Sequence, residues 1–176
     1  YYKFSLVFVK LRNHSIIMKK IPFCFLLMLL SAFTKAQSVK IPAYTGYAVP
    51  AEKDDQTLFS ESKGLTGWTD TRQSIHWFFK ARQTGEIELS FHTKAINGGS
   101  DLIVAIAGKK FPVKLVSGAA PKKISIGKLS ITDTGFYQLT VSCQKKAGKQ
   151  IASIQSVELE GKPAADIHFN PVARRN

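Results

Sequence analysis

The sequence predicts an all-β fold, a two-sheet antiparallel β-sandwich of jelly-roll type, on three observations. The segment from Ile75 to Thr93 (IHWFFKARQTGEIELSFHT) alternates with a period of two. Ile75, Trp77 and Phe79 fall on one side of an extended chain, and His76, Phe78 and Lys80 on the other. After Gln83-Thr84-Gly85, the apolar Ile87, Leu89 and Phe91 alternate with Glu86, Glu88, Ser90 and His92. This reads as a hairpin with one wet face and one apolar face, which needs a second sheet to cover it. Further strand-like segments recur roughly every ten residues with turn residues between them. No segment carries a convincing amphipathic helical period.

Taken in order, Ser38 to Pro42 (SVKIP) reads as a first edge strand closed by proline. Residues 43–57 form a polar connection carrying Tyr44, Tyr47 and Pro50. Residues 60–72, with Gly64, Gly67, Trp68 and Asp70, read as a long loop, and loops of that length in compact domains are often functional. After the hairpin, Asn97-Gly98-Gly99 is a tight-turn sequence, because Asn and Gly accept positive φ at little cost. Residues 101–107 (DLIVAIA) are apolar enough for a strand buried on both faces. Gly108-Lys109-Lys110 turns the chain into Phe111 to Val116, where Pro112 cannot donate to a ladder and so marks an edge. Ile124 and Ile126, then Leu129 and Ile131, mark a strand around Gly127. Asp133-Thr134-Gly135 introduces Phe136 to Cys143 (FYQLTVSC), the clearest alternating strand. Ile151 to Glu160 closes the domain, with Val157 and Leu159 inward and Glu158 and Glu160 outward.

The two ends read differently from this middle. Residues 1–17 read as translated upstream sequence. Residues 18–36 read as a secretory signal peptide: Met18-Lys19-Lys20 is basic, Ile21 to Phe33 is apolar, and cleavage is expected between Ala36 and Gln37. The apolar run is about 13 residues, short of the roughly 20 that a membrane span needs, so no span is expected after cleavage. Residues 37–161 are the sandwich module, and residues 162–176 read as a linker into a C-terminal domain missing from this sequence. The expected location is the periplasm, the cell surface or the medium.

Processing changes the charge account. The whole sequence has 25 basic and 12 acidic residues, a net charge of +13. Six of the basic residues (Lys3, Lys10, Arg12, Lys19, Lys20 and Lys35) and no acidic ones lie before Gln37, which leaves 19 against 12, or +7. The remaining lysines are scattered, with Lys109-Lys110, Lys122-Lys123 and Lys145-Lys146 at apparent turns, so nucleic acid is not an expected partner. Beyond the signal peptide only Cys143 remains, on the apolar side of its strand. It reads as a small buried thiol rather than a nucleophile.

Catalytic chemistry needs convergent groups, and few are present. His76 and His92 lie on the faces opposite the core, without a Ser or Cys in a recognised arrangement. Asp54-Asp55 is the closest pair of acids, with nothing to set the separation a glycosidase requires. Neither metal-ligand spacing nor a phosphate-cradling loop is found. The loops contain oxygen donors a calcium ion takes, yet no twelve-residue loop pattern supports one, and no cofactor is expected. Binding is easier to build. Trp68, Tyr44 and Tyr47 fall in connections, where an exposed ring can stack on the C–H face of a sugar, and Asp70, Arg72 and Asn97 can hydrogen-bond its hydroxyls. The plainer readings stay open beside these. Trp68 can cap one end of the sandwich, the tyrosines can pack with only a wet hydroxyl, and Asp70 and Arg72 can form a surface ion pair.

The run GLTGWTD, IHWFFKARQTGEIELSF, DLIVAIAGKKFPVKL and DTGFYQLTVS resembles domain of unknown function 5077, a secreted bacterial module found in front of domain of unknown function 3472. The likeness covers about Val39 to Gly161, and HFNPVARRN resembles the connection into the second domain. The resemblance implies a galactose-binding-like jelly roll and hence a non-catalytic, carbohydrate-binding accessory role, with polysaccharide and the missing C-terminal domain as partners. A scaffold that supports the neighbouring domain without binding a ligand is the alternative. No binding residue is carried over from the resemblance.

Overall fold

A computed structural model of the chain describes residues 37–51, 57–93, 99–115, 118 and 120–172. Their strands are β1 (Ser38–Pro42), β2 (Tyr47–Val49), β3 (Phe59–Ser60), β4 (Gly64–Trp68), β5 (Ser74–Ala81), β6 (Gly85–Thr93), β7 (Asp101–Ile106), β8 (Lys109–Lys114), β9 (Lys122–Ile131), β10 (Gly135–Lys145), β11 (Ala152–Glu160) and β12 (Ile167–His168). Two short 3-10 turns, Ala43–Thr45 and Lys162–Asp166, connect β1 to β2 and β11 to β12. The all-β, two-sheet antiparallel class expected from the alternation is the fold observed.

One sheet runs β3-β4-β11-β6-β9, with β1 beside the part of β11 that β4 leaves uncovered. The other runs β12-β5-β10-β7-β8, with β2 and β12 sharing the outer edge of β5. Between the sheets lie the inward positions of every long strand: Ile75, Trp77 and Phe79 from β5, Ile87, Leu89 and Phe91 from β6, and Leu139 and Val141 from β10, all buried. Trp77 donates its indole N–H to the carbonyl of Ala43 at 3.2 Å and so ties the first 3-10 turn to the core. Pro112 does lie on an edge strand, β8, where its missing N–H costs no ladder bond.

Several expectations are corrected. Residues 75–93 are not a hairpin: β5 pairs with β10, β2 and β12, whereas β6 pairs with β11 and β9 in the opposite sheet. Alternation reports which face is apolar and says nothing about the partner, so two consecutive amphipathic strands can face each other across the core. Residues 60–72 are not one loop, because β4 occupies Gly64–Trp68 and pairs with β11. Tyr47 lies on β2, not in a connection. On β7 only Leu102, Val104 and Ile106 are fully buried, and Ile103 and Ala105 are half-exposed. Lys122 and Lys123 belong to β9 and not to a turn.

The module also runs past Gly161. Pro163 and Ala164 are buried in the second 3-10 turn, and Ile167 pairs with Ala81 as β12. The expected linker therefore starts with a segment that is part of the sandwich. The change of phase between Ile126 and Leu129 has a local cause: Leu89 faces Gly127 and Ser90 faces Ser125, leaving Ile126 as the extra residue of a β-bulge. Gly127, at φ 153°, sits against the Phe111 ring, where an added Cβ would fall 2.7 Å from Cδ1.

Candidate functional site

The outward positions of β2, β5 and β10 are the natural place to seek a site, because the core takes their other face. On an ordinary sheet these positions are polar. Here Val49, Phe78 and Phe136 all point outward and stay exposed, Phe78 at 41% and Phe136 at 80%. The registers bring them onto one surface: Tyr47 faces His76 and Val49 faces Ser74 across β2–β5, while Phe136 faces Lys80 and Gln138 faces Phe78 across β5–β10.

Tyr47 stands between two rings of β5. Its ring is parallel to Phe78 within 3° at 5.4 Å between centroids, and to His76 within 14° at 5.8 Å. Each such pair contributes about 0.5–1.5 kcal/mol beyond simple burial, and the stack holds Phe78 in one orientation with one face covered by Tyr47. Lys80 places Nζ 5.4 Å from the centroid of Phe136.

A hydrogen-bond chain runs through this surface. Gln138 Nε2 donates to His76 Nδ1 at 2.6 Å and lies 3.2 Å from Thr140 Oγ1. With Nδ1 accepting, the proton sits on Nε2, which donates to Ser74 Oγ at 2.7 Å. Ser74 passes its own proton towards the carbonyl of Val49 at 3.3 Å. Burial holds His76 below the ordinary histidine value, in keeping with a neutral ring. This arrangement opposes hydrolytic chemistry even though a serine and a histidine touch. An imidazole that donates to the serine cannot accept its proton, and Nδ1 meets an amide where a triad would supply a carboxylate.

The residues expected from sequence to bind do not converge. Trp68 is a correction: it is wholly buried at the end of β4, with its N–H donated to the carbonyl of Asp70 at 3.0 Å, so its ring is closed to a ligand. Leu65 and Trp68 are both buried although three positions apart, because the β4–β11 register shifts between their partners Ile154 and Ala152, and this broken period among glycines and threonines disguises the strand as a loop. Asp70 and Arg72 form the local ion pair that was the plainer reading. Arg72 Nη2 lies 2.6 Å from Asp70 Oδ2, its backbone N–H donates to Oδ1 at 2.8 Å, and these bonds hold the Asp70 carboxyl down at about 2. Tyr44 is half-buried in the first 3-10 turn, and among the five that are described Tyr47 alone joins the aromatic surface. Asn97, like Asp54 and Asp55, lies outside the described residues. Phe78 and Phe136 were missed, although a signal was present: each is a large apolar residue at an outward position of a strand that otherwise alternates.

The outer face of the other sheet is ionic. Glu158, 5% exposed, accepts a hydrogen bond from His92 Nε2 at 2.7 Å, lies 2.8 Å from Lys123 Nζ and 3.8 Å from Lys40 Nζ. Lys123 also bridges to Glu160. Burial pushes the Glu158 carboxyl up, but the bonds from Lys123 and His92 and the charges of Lys123 and Lys40 outweigh it and hold the group at about 2. Thus the glutamate read as simply outward is covered and bound by side chains of β6, β9 and β1. Cys143 is free and half-buried, and burial pushes its thiol up, away from the reactive thiolate. Among the described residues, no three His, Cys, Asp or Glu side chains gather closely enough to hold a metal, and no helix is long and apolar enough to cross a membrane.

Comparison with solved structures finds the same fold at low identity. A GH26-CBM35 β-(1,4)-mannanase from Podospora anserina aligns with a TM-score of 0.55 at 16% identity, over 73% of this chain and 29% of that one. A family 35 carbohydrate-binding module from Clostridium thermocellum aligns with a TM-score of 0.51 at 14% identity, over 72% of this chain and all of that module. This chain thus spans under a third of the mannanase and matches the whole of an isolated module. Comparison with curated proteins finds no match. The family model for the domain of unknown function DUF5077 matches residues 41–164, and the chain belongs to that family.

Proposed function

We propose that this chain is a non-catalytic carbohydrate-binding module, exported from a bacterial cell, that serves a neighbouring domain of the same protein by holding it on a glycan. The observation that carries the proposal is the exposed pair Phe78 and Phe136 on one flat sheet face, with Phe78 braced by Tyr47. An aromatic plane of fixed orientation gives the C–H face of a sugar ring an apolar partner at little entropic cost, and the amide of Gln138 and the hydroxyl of Thr140 offer hydrogen bonds beside it. Two solved structures of similar fold support the reading by their names, one a family 35 carbohydrate-binding module and the other a mannanase that contains one. In this scheme Phe78 and Phe136 stack, Tyr47 buttresses, and His76 orients Gln138. Trp68 has no part, and neither cofactor nor metal is needed. The neighbouring domain is the one that the terminal HFNPVARRN resembles a connection to, domain of unknown function 3472.

Titration of the full chain against plant, host and microbial glycans tests this. Binding to a neutral polysaccharide should fall at least tenfold in Phe78→Ala and in Phe136→Ala, with folding unchanged. Absence of binding to every glycan, or wild-type affinity in both variants, would overturn the proposal and leave the supporting-scaffold alternative.

A further inference from the structure

The hydrogen-bond chain beside Phe78 has a fixed direction, because one of its ends can only accept. A peptide carbonyl has no proton to give, so Ser74 Oγ donates to Val49 at 3.3 Å. Ser74 has then spent its single hydrogen, and its contact with His76 Nε2 at 2.7 Å requires the ring to donate. A neutral ring carries one proton, so Nδ1 is left as a bare acceptor. Burial favours that neutral form by holding His76 below the ordinary histidine value. The ring's neighbours from the adjacent strands are Tyr47 of β2 and Gln138 and Thr140 of β10, none of them a carboxylate that would favour the charged form.

A bare Nδ1 decides which way the Gln138 amide lies. An amide oxygen turned to it would set two acceptors 2.6 Å apart; the nitrogen fits there, and the nitrogen is the end found there. The second amide hydrogen is directed towards Thr140 Oγ1 at 3.2 Å. Both donors of the amide are thus engaged with the sheet, and Oε1 has no hydrogen-bond partner among the described residues. Gln138 is exposed and stands directly opposite Phe78 in the β5–β10 register. Residues opposed in this way hold their Cβ atoms about 4.5–5.5 Å apart, so a sugar stacked on Phe78 brings hydroxyls of its rim over Gln138.

We infer that Gln138 determines specificity: it offers a fixed hydrogen-bond acceptor beside the ring, and the surface selects a sugar that turns a hydroxyl hydrogen towards it. His76 is a positioning residue that acts through the amide. The inference rests on the glycan-binding reading above and deepens it. An ether or ester oxygen at the same place meets Oε1 acceptor to acceptor and leaves both unsatisfied, so an O-substituted sugar is rejected there. Stacking on Phe78 does not discriminate in this way, because a substituted sugar keeps its C–H face.

The test is nuclear magnetic resonance of the full chain, first without sugar. At about pH 7.5 the His76 ring should carry its proton on Nε2 with Nδ1 bare; a proton on Nδ1 would turn the amide over and overturn the inference. This readout needs no variant to fold. Methyl glucoside, methyl mannoside and methyl galactoside are then titrated beside their fully O-methylated forms, which lack any hydroxyl hydrogen. A hydroxylated sugar should shift the Gln138 side-chain amide and bind at least fivefold more tightly than its methylated counterpart. Gln138→Met, close in length but without the acceptor, should bring the two forms to equal affinity, and His76→Phe, which frees the amide to turn, should narrow the gap. Equal affinity of the two forms for the wild type, or an undiminished gap in either variant, would overturn the inference. Phe78→Ala should weaken both forms alike. Equal binding of both forms by the wild type, lost in Phe78→Ala, would remove the acceptor role and leave the stacking surface standing; no shift with any of these sugars would remove both.

Discussion

At the scale of single residues, burial decides which aromatic ring does which work. Trp68 and Phe136 make the contrast. Trp68 is fully enclosed with its N–H satisfied, and Phe136 is 80% exposed. Trp68→Ala would open a cavity in the core and is expected to cost about 3–5 kcal/mol. Phe136→Ala removes little packing and is expected to stay within about 0.5 kcal/mol of wild type. Urea denaturation of both variants measures this, and a similar cost for the two would contradict the placement of either ring. The expected site from sequence chose the wrong tryptophan environment for a definite reason: residue type and neighbouring glycines suggest a rim, but only pairing with β11 shows that Gly64–Trp68 is a strand.

Among the elements, β9 and β11 show how a sheet manages irregularity and charge. Gly127 lets β9 bulge against β6, with Phe111 of the edge strand β8 lying over it. An alanine there meets both a positive φ and the Phe111 ring. Gly127→Ala is expected to destabilise the fold by about 1–3 kcal/mol, read as a lower thermal midpoint at constant fold.

On β11, Glu158 is held ionised by His92 of β6 and Lys40 of β1, which pair with β11, and by Lys123 of β9, one strand further on. Its folded value of about 2 lies below the ordinary 4.5, so the unfolded carboxyl takes up its proton first as the solution is acidified. The contribution is therefore complete above about pH 4.5 and is lost as pH falls from there towards 2. With allowance for solvent around the lysines it amounts to about 2 kcal/mol. Unfolding free energy measured from pH 6 to pH 2.5 should fall less steeply in Glu158→Gln than in wild type; parallel curves would show that Glu158 is not held down. Asp70, also lowered to about 2, titrates over the same range in both proteins and does not disturb the comparison.

For the whole molecule, the closing segment is the informative one. The 3-10 turn Lys162–Asp166 and β12 lie against the core and the free edge of β5, burying Ala164 and Ile167. A chain ended after Gly161 would expose these apolar contacts and leave the Lys80–Ala81 edge without its β12 partner. It is expected to lose about 2–4 kcal/mol, seen as an earlier midpoint in guanidinium, whereas a chain ended after Asn170 should match the parent. An unchanged midpoint in the chain ended after Gly161 would show that the segment is only a tether.

How much of this was legible depends on the range of the interaction. The alternation in β5, β6, β10 and β11 identified the inward residues almost without error, since a side chain's face is a property of its own strand. The edge position of Pro112 was legible for the same local reason, whereas the bulge at Ile126 needed the pairing with β6 to be seen. The partners of β5 and β6 were not, because hydrogen-bonded pairing joins residues far apart in sequence and period two is blind to which strand lies alongside.

The sequence by itself determined a two-layer fold with a known apolar lining, because hydrophobic burial acts on each position according to its side. Only the tertiary structure decided that Tyr47, Phe78 and Phe136 share one surface and that Trp68 is enclosed. Those outcomes depend on strand order and register, which are set when distant segments compete for the same edges.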